Sequence, residues 1–150
     1  MKRYYKNDFR KIGRVSRVAS YAEAIGKKEK VNMGLLLCTA YLHNIGTGEL
    51  RSPSGSDQDL KARSIDIASE ILEKLGAKEQ IKDEVCRQIE IFGTDDAGSC
   101  PECLVLSDAV QLVSLEEQRK KQNADDQFCG QLESKLLTTG GRLTAQELFT

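Results

Sequence analysis

Val31-Asn32-Met33-Gly34-Leu35-Leu36-Leu37-Cys38-Thr39-Ala40-Tyr41-Leu42-His43-Asn44-Ile45 decides the fold. This stretch is apolar nearly all round, the pattern of a helix enclosed by other helices, so the spacing predicts a central helix over Val31 to Ile45. Before it, Ile12, Val15, Val18, Ala19, Ala22 and Ile25 recur at helical spacing, predicting a first amphipathic helix over Asp8 to Ile25 that Gly26 ends. After it, Gly46 to Asp59 gathers glycine, serine, Pro53 and Asp57 without periodicity and reads as a long loop. That loop would serve either as a lid or as a plain connector.

Further out, Ile65, Ala68, Ile71, Leu72 and Leu75 define a third helix closed by Gly76, and Ile81, Val85, Ile89 and Phe92 a fourth closed by Gly93. Thr94 to Ser99 reads as a loop. Leu104, Val105, Leu106, Ala109, Leu112, Val113 and Leu115 make a fifth helix that crosses the core. The expectation is an all-α fold: one compact helical bundle of five core helices over about 8–115, a charged connector over 116–126, and a tail over 127–150. In the tail, one short helix reaches Leu137 and a last turn spans Ala145 to Phe149.

Composition limits what such a bundle does. A chain of 150 residues suits one domain. Its formal net charge of -1 supplies no global field for nucleic acid or an anionic membrane, and no apolar run approaches a membrane span. Without an apolar stretch behind Lys2, Arg3 and Lys6 there is no secretory signal, and five cysteines beside a large core read as reduced thiols, so the expected compartment is the cytoplasm. The single histidine, His43, rules out a histidine-rich metal centre built from this chain alone.

Three local features carry chemistry. Arg10, Arg14 and Arg17 lie at i, i+4 and i+7 on the first helix, giving it a positive face. That face either meets the phosphate of a ligand or is a solvated surface paired with Glu116-Glu117 or Asp125-Asp126. Cys100-Pro101-Glu102-Cys103 stands at the expected start of the fifth helix, where the helix dipole lowers thiol pKa values. It reads as structural, as redox-active, or as half of a zinc site. His43 is first a helix-terminal histidine satisfied by one neighbour.

The order of elements, with Leu42-His43-Asn44-Ile45-Gly46 after the buried helix and Leu106-Ser107-Asp108-Ala109 on the fifth, resembles the HD superfamily of metal-dependent phosphohydrolases. Small stand-alone members are similar at both ends, through Asp8-Phe9-Arg10-Lys11-Ile12-Gly13 and Gly141-Arg142-Leu143-Thr144-Ala145-Gln146-Glu147-Leu148-Phe149. The resemblance implies a metal held by histidines and aspartates, and there the chain departs from the pattern. Arg14 stands where the first histidine is expected, four residues before Val18. His43-Asn44 replaces His-Asp, and Ile91-Phe92-Gly93 stands where histidines often end the fourth helix.

Only His43 and Asp108 match the metal pattern, so they are the ligands if a metal binds at all. Asn44 offers a neutral carbonyl, and the guanidinium of Arg14 opposes a cation. An Arg14–Asp108 ion pair is the expected replacement, with His43, Asn44 and Asp108 as a vestigial site. These departures imply that metal-dependent hydrolysis is lost and that no cofactor is expected. The expected role is regulation or the binding of a small phosphorylated ligand, a nucleotide or a protein partner, through Arg10, Arg14, Arg17, His43 and Asp108. The alternative is a divergent phosphohydrolase with a reduced metal set, or one that shares a metal across an oligomer.

Overall fold

The computed structural model describes residues 9–45, 57–122 and 136–149. Every regular element among them is helical: α1 (Phe9–Lys28), α2 (Met33–Leu42), α3 (Asp57–Lys74), α4 (Glu79–Ile91), a 3₁₀ turn (Asp95–Ser99), α5 (Pro101–Gln122) and α6 (Thr139–Phe149). No helix among the described residues is long and apolar enough to cross a membrane.

The core forms in two parts on either side of α2. Val18, Ala19, Ala22 and Ile25 of α1 pack with Leu36 and Ala40 of α2 and with Val105, Leu106, Ala109 and Leu112 of α5. Val15 and Leu42 join Ile45, Ile67, Leu72, Val85 and Ile89 in the second, which α3 and α4 close. An α2 that meets neighbours all round accounts for its continuous apolar sequence.

Several boundaries differ from the sequence expectation for identifiable reasons. α1 does not stop at Gly26 but continues to Lys28. A Cβ at Gly26 would lie 2.8 Å from Leu36 Cδ2 and 3.0 Å from Met33 Cε, so this glycine admits α2 against α1 and does not end the helix. α2 is shorter than expected because Asn32 caps it, its Oδ1 accepting from Leu35 N at 3.2 Å. Gly76 (φ 74°) and Gly93 (φ 82°) sit in the left-handed region after α3 and α4, as expected. At Gly76 the bonds Ala77 N to Leu72 O (3.0 Å) and Gly76 N to Glu73 O (3.1 Å) close the helix.

The expected 94–99 loop contains the 3₁₀ turn, and α5 runs on into the charged stretch expected to be a connector. Those charges have work there: Tyr21 Oη donates to Glu116 Oε2 at 2.6 Å, tying the end of α5 to α1. Burial first, and then this bond, push the tyrosine up to about 12. The expected short tail helix lies largely outside the described residues, as does the 46–56 part of the loop. The expected last turn is an eleven-residue helix, α6.

Candidate functional site

His43 closes α2, its backbone N–H donating to Thr39 O. Its ring Nδ1 lies 2.9 Å from Ala40 O. A carbonyl only accepts, so Nδ1 carries the proton and Nε2 the lone pair in the neutral ring. The ring stands edge-on to Phe92, centroids 5.3 Å apart at 69°, and the residue is 7% exposed. Burial pulls its pKa below the ordinary value, the two backbone bonds oppose that, and the charge of Arg14 lowers it further.

Beside His43 lies a cleft of about 390 Å³ lined by Asn44, Leu60, Lys61, Ile89, Phe92 and Gly93. The Lys61 ammonium reaches from α3 to the end of α4 and donates to Glu90 O (2.9 Å) and Phe92 O (3.1 Å). It thus caps carbonyls that the helix leaves unpaired, where the macrodipole favours a cation. Nothing in the sequence marked Lys61, one of many lysines in no motif.

Asp108 does not pair with Arg14. Its fully buried carboxylate accepts from Leu137 N (2.7 Å, Oδ1), Thr138 N (2.7 Å, Oδ2) and Thr138 Oγ1 (2.6 Å, Oδ2). The same threonine oxygen accepts from Gly141 N at 2.8 Å, so Asp108 holds the residue that caps α6. The beginning of α2 is at this end of the molecule, since Val31 shares a small cavity with Leu104, Val105 and Thr138. His43 stands at the opposite end of α2, whose ten residues span about 15 Å. His43 and Asp108 are therefore not brought together.

At the His43 end, α5 presents different groups to α1. Arg14 Nη2 donates to Ser114 Oγ at 3.2 Å, and Arg14 and Arg17 share the Glu117 carboxylate at 3.3 and 3.2 Å. The solvated, paired basic face read from the charges is what these two residues form. Arg10 lies in the first turn of α1, outside the residues whose side chains are described. Among the described residues no three His, Cys, Asp or Glu side chains converge to hold a metal ion.

The cysteine pair is buried. Cys100 caps α5, its Sγ accepting from Cys103 N at 3.4 Å, and Cys103 Sγ donates to Gln88 O at 3.6 Å. Contrary to the dipole expectation, burial first and the hydrogen bond with Cys100 second push the Cys103 thiol up. Gln88, unmarked in the sequence, is fully buried and accepts from Thr39 Oγ1 at 2.8 Å, joining α4 to α2.

A family model for the HD domain matches residues 12–125. No curated protein and no solved structure matches the chain.

Proposed function

Since the chain belongs to the HD-domain family, we propose that it is a degenerate member that binds a small anion, a nucleotide included, at the His43 cleft without metal-dependent hydrolysis. One observation carries the reading: of the two residues that keep the family's ligand identities, Asp108 is committed to Leu137 and Thr138, while His43 lines a cleft that Asp108 does not.

The groups near His43 do not fit a divalent cation. Among the described residues they are one imidazole, the neutral amide of Asn44 and the ammonium of Lys61 at the cleft, with Arg14 and Arg17 beyond it sharing Glu117. Divalent sites are assembled from carboxylates, imidazoles and thiolates, and the described lining residues of the cleft supply one imidazole, no carboxylate and one ammonium, which repels a cation. The same ammonium favours an anion. Lys61 supplies a point charge, and Leu60, Ile89 and Phe92 supply an apolar wall.

The test is a thermal-shift screen of nucleotides and inorganic phosphate in EDTA, beside phosphate-release assays with manganese, cobalt, magnesium and nickel. Nucleotide at a hundred times its Kd stabilises by about 2.7 kcal/mol. The reading expects a shift that EDTA leaves intact and no metal-stimulated release. Metal-stimulated release abolished by Asp108→Ala, in protein that remains folded, would establish the divergent phosphohydrolase instead.

A further inference from the structure

Two sulfurs at the start of α5 take no part in the function proposed above. Cys100 has the extended backbone of a helix N-cap (φ -111°, ψ 105°), which turns its side chain back over the first turn, where Sγ accepts from Cys103 N at 3.4 Å. Cys103 lies one turn on, and the two thiols are within hydrogen-bond reach of each other. The pair therefore faces as a disulfide requires, with no movement of the backbone needed to bring it together. Its burial is shallow. Cys100 is 3% exposed, but Ser99 and Pro101 on either side of it are exposed. The 3₁₀ turn that leads into it is closed by local bonds, Cys100 N to Ala97 O at 3.0 Å and Ser99 Oγ to Asp96 O at 3.1 Å.

We propose that Cys100 and Cys103 form a peroxide-sensitive dithiol, which hydrogen peroxide converts to a disulfide within the first turn of α5. Cys100 Sγ attacks one peroxide oxygen: the O–O bond breaks, an S–O bond forms, and the thiol proton leaves with the departing hydroxide as water. Cys103 Sγ then attacks the Cys100 sulfenic acid: the S–S bond forms, the S–O bond breaks, and the Cys103 proton leaves with that hydroxide as a second water. The two thiols together give up two hydrogens, and the peroxide is reduced to water. Burial first, and then the hydrogen bond with Cys100, raise the Cys103 thiol, and the nearby charge of Arg87 opposes them. Cys103 thus waits as the protonated resolving thiol, already against the sulfur it must capture. Gln88 O, which gives up the Cys103 S–H on oxidation, keeps the Phe92 N–H at 3.0 Å, so the disulfide leaves this carbonyl paired.

The experiment treats the intact, folded chain with excess hydrogen peroxide, removes the excess with catalase, alkylates with iodoacetamide in denaturant and digests with trypsin. Cys100 and Cys103 fall together on the peptide from Gln88 to Arg119, which holds no other cysteine. That peptide is expected to be alkylated at neither site and lighter than the reduced peptide by two hydrogens. Dithiothreitol added before the alkylation is expected to restore alkylation at both. Cys103→Ser, whose hydroxyl still donates to Gln88 O, is expected instead to hold Cys100 as a sulfenic acid that dimedone traps. Alkylation of both sites after peroxide would overturn the proposal. Sulfinic or sulfonic acid at either site, without the loss of two hydrogens, would overturn it as well. The peptide from the unaltered chain decides the matter even if the variant fails to fold.

Discussion

Thr138 gives both its backbone N–H and its hydroxyl to Oδ2 of Asp108, at 2.7 and 2.6 Å, across thirty residues of sequence. The carboxylate that resembles a metal ligand is in fact the anchor of the C-terminal helix. Truncation by Asp108→Ala strands the amides of Leu137 and Thr138 and frees the hydroxyl that caps α6. The expected cost is about 3 kcal/mol or more, since hydrogen bonds to a charged group are individually strong. For a chain of this size that corresponds to a fall in Tm of roughly 6–12 °C. Calorimetry of the variant checks it, with hydrogen exchange expected to rise first in α6.

Gly141 belongs to the same anchor. A Cβ there would press on Oδ2 of Asp108 and lie 2.9 Å from both Asp108 Cγ and Thr138 Oγ1. Gly141→Ala is therefore expected to destabilise by about 1–3 kcal/mol. Most of that cost is expected to vanish in an Asp108→Ala background, because the clash needs the carboxylate. Additive losses across the double-mutant cycle would show that the two residues act independently.

His43 gives the protein an acid-sensitive term of defined sign. In the unfolded chain it takes up a proton near its ordinary 6.5, while burial lowers the folded value. Between those two values the unfolded state binds more protons, so stability falls as pH drops. The full contribution is present above the unfolded value. Denaturant titrations from pH 8 to 5 are expected to show this decline beginning near the ordinary value, and His43→Phe to flatten it.

Glu117 is expected to matter more for charge than for stability. Its pairs with Arg14 and Arg17 involve side chains about a third exposed, so Glu117→Gln costs less than about 1 kcal/mol. Removing the carboxylate raises the positive potential on the His43 side of α1. AMP affinity is expected to increase several-fold at low salt, with the gain disappearing at 0.5 M salt as screening sets in. An unchanged affinity at low salt would separate this face from the cleft.

The fold was legible wherever a local rule governs it. Periodicity placed the five core helices, and Gly76 and Gly93 marked real helix ends because each adopts a left-handed backbone. Gly26 followed the same pattern yet served close packing against Leu36, a distinction that only the neighbouring helix makes. Charge counting offered the Glu116-Glu117 region as one partner for the basic face, and Arg14 and Arg17 do pair with Glu117, whereas the Asp108 partner expected for Arg14 is not the one it takes. It did not foresee Asp108, whose partners lie in an aperiodic stretch far along the chain. Lys61 escaped for a related reason: its role depends on the end of α4, which no spacing within α3 reveals.

Calorimetric titration of manganese into the chelator-treated protein distinguishes a His43 and an Asp108 with separate partners from a pair that shares a metal. No saturable stoichiometric heat is expected, in the unaltered chain as in His43→Phe. A one- or two-site isotherm that both His43→Phe and Asp108→Asn abolish, in variants that remain folded, would contradict that expectation by showing the two residues on a common metal.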